Sequence, residues 1–219
     1  MEIKGIVFDM DGVLLDTEKL YVRFWCEAAN FCGYKMTEEH ALSIRSLARP
    51  FAIEKLKGYF GEDFNYDAVR NKRIQLMGDY IEENGIDTKP NAEYILKYLK
   101  DNGYKVAVAT ATPVERTEKY LKKVSLYKYF DKIISASMVK EGKPKPDIYI
   151  EACKQLDLKP EECMAVEDSK NGIISASTAG LTTVMAIDLD GPDDEVLDMT
   201  YAVVDNLKEI ESLLEEQYL

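Results

Sequence analysis

The chain has 219 residues, 46% of them hydrophobic and 31% charged, and a formal net charge of −12 at pH 7. That length allows one large domain or a core carrying an insertion, and the acidic balance excludes a general nucleic-acid or anionic-membrane surface, which needs clustered Lys and Arg. Cys26, Cys32, Cys153 and Cys163 lack CxxC or metal spacing, and a histidine relay would rest on His40 alone, which lies in a polar, helix-start context and reads as a surface residue.

The chain opens on Ile6-Val7-Phe8-Asp9-Met10-Asp11-Gly12. The apolar run reads as a strand buried on both faces, so Asp9 falls at its carboxyl end, where open α/β sheets place their ligand crevice. Two carboxylates there need a cationic partner, because an unpaired buried carboxylate costs several kcal/mol. Taken alone, the pair reads as a charged turn. From Asp16 to Cys32 apolar residues recur at helical spacing, and two more helices are expected, Pro50 to Phe60 and Asp67 to Glu83. Residues 17–87 thus form an all-helical insertion between residues 1–16 and 88–219.

After Pro90 the sheet resumes. Asn91 can cap a helix with the apolar face Ile95, Leu96 and Leu99, and Tyr104 to Thr110 reads as a strand. Thr112-Pro113-Val114-Glu115 has the form of a capping box opening the next helix. Lys132 to Ala136 is a further strand, and a proline-stiffened loop presents Lys143 before a helix capped by Asp147. Strand Met164 to Val166 runs into Glu167-Asp168 and a small-residue helix, Ser169 to Ala179. Strands at Thr182–Ile187 and Tyr201–Val204 and an acidic terminal helix complete the chain. Alternating strands and helices predict a Rossmann-like α/β core, a parallel sheet between two helical layers, with the helical module inserted after the first strand. Because no apolar run approaches the roughly 18 residues of a membrane span, and the N-terminus reads as a native strand rather than a signal segment, the chain is expected to be cytoplasmic, away from membranes and nucleic acid. Its acidic surface favours a monomer.

In such a sheet Asp9, Thr110 and Asp168 end strands on one edge. Thr110, with the backbone N–H groups of Ala111 and Thr112, offers a hydroxyl and amides at a helix start, which suits phosphate. Singly, these are ordinary features: a turn residue, a solvated lysine at 143, an N-cap at 168. As a set they describe phosphoryl transfer, with oxygen donors suited to Mg²⁺ and a lysine to offset anionic charge while a carboxylate attacks.

The ordered segments FDMDG, VAVAT, GKPKPD and AVEDS resemble the four motifs of the haloacid dehalogenase superfamily, in its β-phosphoglucomutase-like and sugar-phosphatase branch with a helical cap. The resemblance runs over nearly the whole chain. It implies a Mg²⁺-dependent phosphatase for a small phosphorylated metabolite. By it Asp9 is the nucleophile that forms an aspartyl-phosphate, Asp11 the general acid and base, Thr110 and Ala111 phosphate-binding residues and Lys143 the cation stabilising the transferred group. Asp9, Asp11 through its backbone carbonyl, Asp168, and Glu167 in a secondary or water-mediated role hold the metal. Residues 17–87 become the cap, and the segment Arg45 to Pro50 takes the place of the specificity loop. Arg49 in that loop reads equally as a distal substrate contact and as a surface arginine. Mutases of the family carry a histidine in the first cap helix where this chain has Tyr21, and the loop lacks the glycine frequent in family caps. Hydrolysis is therefore the expectation, a phosphomutase the alternative, and a non-catalytic binding module a third.

Overall fold

A computed structural model describes residues 2–45, 47 and 49–216 of the protein. Six strands, β1 (Gly5–Phe8), β2 (Lys105–Thr110), β3 (Lys132–Ser135), β4 (Cys163–Glu167), β5 (Thr182–Ala186) and β6 (Ala202–Val204), form one parallel sheet in the order β3-β2-β1-β4-β5-β6. The strand that opens the chain is therefore central, flanked by β2 and β4. The Asp9, Thr110 and Asp168 positions meet because these three strands are immediate neighbours running the same way.

Alternate strand residues feed two apolar layers. Ile6, Phe8, Val106, Val108 and Val166 pack toward α5 (Ala92–Asp101), α6 (Val114–Lys123) and α10 (Glu209–Glu215), while Val7, Ala107, Ala109 and Ala165 pack toward α7 (Asp147–Gln155) and α8 (Lys170–Ala179). Complete burial of an Ile, Val or Phe contributes about 1.5–3 kcal/mol, so an all-apolar β1 is the natural centre of the sheet.

Between β1 and β2 the chain makes α1 (Glu18–Phe31), α2 (Glu38–Leu42), α3 (Arg49–Phe60) and α4 (Tyr66–Asn84), with α1 packed along α4. These helices enclose an apolar cluster of their own built on Trp25, Ala28, Leu56, Phe64 and Val69. The five-residue α2 and the six-residue α9 (Asp194–Met199) are too short to leave a periodic signal in sequence. His40 is half-buried: its Nδ1 accepts the Thr37 N–H at 3.1 Å, and its ring lies 4.6 Å from that of Tyr59.

Three expected caps are built differently. Asn91 stands at the N-cap of α5 in a left-handed conformation, but its side chain donates to Asn206 and accepts no helix N–H. Asp147 is the first residue of α7, and its carboxylate accepts the Glu141 N–H at 3.2 Å. Thr112 does not cap α6, whose N-cap is Pro113, because its hydroxyl is drawn to the Asp11 carboxylate. A hydroxyl donates more strongly to a charged acceptor than to a neutral one.

Candidate active site

Asp9 leaves the end of β1 with its backbone N–H donated to the carbonyl of Val166 on β4. Its carboxylate Oδ1 accepts from Lys143 Nζ at 2.5 Å, which leaves Oδ2 without a donor among the described residues. Lys143 comes from the loop before α7 and is 7% exposed. It also donates to Glu167 Oε1 at 2.5 Å and to the Ala109 carbonyl at 3.0 Å, so all three ammonium protons are directed. Burial works to lower the Lys143 pKa, but the two carboxylates overcome it and hold the group charged, above its ordinary value. Burial also drives Asp9 well above the usual carboxylate range, opposed by Lys143 and reinforced by Glu167, Asp168 and Asp11.

Glu167 is fully buried, and its oxygens are already engaged. Oε1 receives Lys143 and the Tyr149 hydroxyl at 2.7 Å; Oε2 receives the Asp168 N–H at 3.1 Å and the Ser169 hydroxyl at 3.1 Å. It is therefore an anchor for Lys143 as much as a metal-ligand candidate. Ser169, not Asp168, caps α8, accepting the Gly172 N–H at 3.1 Å. The chain passes so close here that a Cβ on Gly172 would lie 1.9 Å from Glu167 Cδ. Gly172→Ala would gain about 1 kcal/mol of helix propensity, yet the collision is with a carboxylate that cannot move. We expect a net loss of about 3 kcal/mol in urea denaturation, together with reduced turnover; an unchanged midpoint would show that Glu167 is not held as described.

Asp11 points elsewhere. Oδ1 accepts from Thr17 Oγ1 at 2.7 Å and Oδ2 from Thr112 Oγ1 at 3.0 Å. Burial raises its pKa while the two hydroxyls oppose the rise, which suits a carboxyl that holds a proton and releases it. Thr110 Oγ1 accepts the Thr112 N–H at 3.1 Å and keeps its own proton to donate. Thr112's amide is thus engaged, leaving the Ala111 amide at the mouth of this turn.

Ligand oxygens of Asp9, Glu167 and Asp168 lie within 4.8 Å of one another. Asp168 is nearly fully buried, and burial raises its carboxyl to about 7 against the pull of Arg45. Gly12, at φ 85°, makes room: a Cβ there would sit 2.3 Å from Asp168 Oδ2. Arg45 reaches across from the segment after α2 to the Asp168 carboxylate and carbonyl, to Asp190 Oδ2 at 3.0 Å and to Glu18 Oε2 at 3.5 Å. From the sequence, Arg49 is the candidate basic contact of this segment. Arg49 lies at the rim of the cavity with an exposed guanidinium held by Asp67 at 2.7 Å, whereas Arg45 touches the acidic cluster. Both flank Ser46 and Ala48, which lie outside the described residues. Nothing in the local sequence separates the two arginines; only the fold aims one at Asp168.

These groups open on a cavity of about 430 Å³ between the helical module and the sheet edge, lined by Asp9, Asp11, Thr110, Ala111 and Lys143 on one side and by Tyr21 and Trp25 on the other. A carboxylate clamped by a lysine, a second carboxyl able to carry a proton, a free hydroxyl proton and a hard-oxygen cluster together suit phosphoryl transfer.

Comparison with known proteins points the same way. Residues 3–180 match the haloacid dehalogenase-like hydrolase family. A phosphorylated carbohydrates phosphatase of Thermotoga maritima is 30% identical over 189 residues, covering 84% of this chain and 85% of its own length. Hexitol phosphatase A of Escherichia coli is 30% identical over 182 residues, covering 82% and 81%. The β-phosphoglucomutase of Clostridium difficile superposes with a TM-score of 0.80 over 99% of both chains at 24% identity, a likeness of fold. The chain belongs to the haloacid dehalogenase-like hydrolases.

Proposed function

We infer that the protein hydrolyses a small phosphorylated metabolite of the sugar or polyol phosphate class, through a phosphoryl group carried on Asp9 and with Mg²⁺ as cofactor. The observation that carries the reading is Lys143 Nζ held 2.5 Å from Asp9 Oδ1, at the base of a cavity that Asp11 also lines. Relatives named for phosphorylated carbohydrates and hexitol phosphates support the substrate class.

Asp9 attacks phosphorus with the oxygen that Lys143 leaves free, and the bond from phosphorus to the leaving oxygen breaks. Asp11 transfers its proton to that oxygen. Its carboxylate, steadied by Thr17 and Thr112, then takes a proton from water as the water oxygen attacks phosphorus and the bond to Asp9 breaks. Thr110 and the Ala111 amide hold the phosphoryl oxygens, and Lys143 offsets their charge. Residues 17–87 act as a cap that excludes bulk water and meets the leaving group.

The donor set of Asp9, Asp168 and Glu167, without sulfur or imidazole, fits a hard divalent cation. Asp9, Asp168 and the backbone carbonyl of Asp11 would hold Mg²⁺, with Glu167 acting through water because its oxygens serve Lys143 and Tyr149. Bound there, Mg²⁺ supplies positive charge against the transferring phosphoryl group. Hydrolysis is favoured over mutase chemistry because, by the family resemblance, Tyr21 stands where mutases carry a histidine, and a neutral phenol does not replace an imidazole in proton transfer.

Purified protein with Mg²⁺ and a panel of sugar and polyol phosphates should release inorganic phosphate; accumulation of an isomerised sugar phosphate would move the assignment to a mutase, and no reaction at all to a binding module. Chelation should lower turnover by about 100-fold or more, restored by added Mg²⁺. Full activity in chelator would remove the metal from the mechanism.

A further inference from the structure

Three arginines that the catalytic mechanism leaves unused face the same cavity: Arg70 and Arg73 on α4 and Arg116 on α6. Arg73 is buried at 6% exposure, and its Nε has no hydrogen-bond partner among the described residues. Its guanidinium lies 4.8 Å from the centre of the Tyr21 ring and 5.2 Å from that of Trp25, and its hydrogen-bonding contact among the described residues is Met77 Sδ at 4.0 Å. Neighbouring arginines have carboxylate partners within the protein: Arg23 pairs with Glu27, Arg45 with Asp168 and Arg49 with Asp67. Among the described residues, Arg70, Arg73 and Arg116 have no carboxylate within ion-pair distance, in a chain with 40 acidic residues against 28 basic ones.

Burial lowers the pKa of Arg73, and repulsion from Arg116 and Arg70 lowers it further, so both act on the buried guanidinium in the cavity all three line. Asp11 lines the same cavity, so the arginines share it with the carboxyl that would protonate the leaving group. Like charges gathered in a partly dry cavity are costly, and a neutral hydroxyl does not offset them. A guanidinium fork fits the two oxygens of a carboxylate or phosphate.

We propose that Arg70, Arg73 and Arg116 form a receptor for a second anionic group, carboxylate or phosphate, on the leaving portion of the substrate. This deepens, and rests on, the phosphatase reading of the same cavity. The favoured substrate is then a small phosphate ester bearing two anions, and the aromatic pair Tyr21 and Trp25 holds the guanidinium of Arg73 in place before it binds.

The test uses matched pairs: glycerol 3-phosphate against 3-phosphoglycerate for a carboxylate, and fructose 6-phosphate against fructose 1,6-bisphosphate for a phosphate. The wild-type enzyme should prefer the more anionic member of one pair by about tenfold or more in kcat/KM, and that pair identifies the anion. Arg116→Gln and Arg70→Gln, at half-buried positions that tolerate change, should cut this ratio about tenfold through KM, with Arg116→Lys retaining part of it. Equal preference in the wild type, or variants that leave the ratio unchanged, would overturn the proposal.

Calorimetry separates it from the parent reading. If nothing in the panel is hydrolysed, yet the Asp9→Asn protein binds 3-phosphoglycerate or fructose 1,6-bisphosphate more tightly than its partner compound and Arg116→Gln removes the difference, the receptor stands and the phosphatase reading fails. Hydrolysis without discrimination between the paired compounds would do the reverse, ending the receptor while the phosphatase stands.

Discussion

Asp9→Asn is expected to reduce phosphate release by at least about 10⁴-fold, equivalent to roughly 5.4 kcal/mol of transition-state stabilisation at 1.36 kcal/mol per decade. The amide is nearly isosteric and its oxygen can still accept from Lys143, so geometry survives while the nucleophilic carboxylate is lost. Stability makes the result interpretable. Because burial already disfavours the charged form of Asp9, and Glu167, Asp168 and Asp11 repel it, removing the charge should leave Tm unchanged or higher in metal-free buffer. Folded but inactive protein is the expected combination. Appreciable phosphate release from a folded Asp9→Asn variant would end the nucleophile assignment.

Lys143→Met carries the second largest effect and should damage both stability and activity. The buried ammonium joins Asp9 and Glu167, and removing one partner of a buried pair costs about 3–5 kcal/mol. The deficit should depend on pH. Without Lys143 the folded-state pKa of Asp9, already raised, rises further above its unfolded value near about 4. A carboxyl with a raised folded pKa binds its proton more tightly when folded, so stability falls as pH climbs from the unfolded value toward the folded one. In chelator, urea midpoints for the variant and wild type should therefore lie closest near pH 4 and diverge toward pH 8. Turnover should fall by about 10²–10³-fold even where the variant is folded, because the charge facing the phosphoryl oxygens is gone. A pH-independent deficit would argue that the lysine acts by packing alone.

Much of this protein is legible from local sequence. Ile6-Val7-Phe8 is buried on both faces wherever it folds, so its assignment to a central strand follows from composition, and the carboxylates after it must then lie at the strand end. The same reasoning places Thr110 and Asp168, and Gly12 carries its own signal because a left-handed turn against Asp168 admits no Cβ. These features depend on residues close together in the chain. The short helices α2 and α9 escape because five or six residues hold too little periodicity.

What tertiary structure alone decides is the destination of each polar group. Thr112 reads as a helix-start residue, yet its hydroxyl, like that of Thr17, donates to Asp11, because folding brings a charged acceptor within reach. The Tyr149 hydroxyl donates to Glu167, which holds Lys143, a link that no local sequence signal marks. Arg45 and Arg49 are equivalent as text; one reaches the acidic cluster and the other pairs with Asp67. Sequence by itself determined the strands and longer helices, their order and the carboxylates and lysine at the sheet edge, since burial and backbone preference act over a few residues. Which cations those carboxylates hold, and which arginines are left facing the cavity without a carboxylate, depends on distances between residues far apart in the chain, and those exist only once the helices have packed over the sheet.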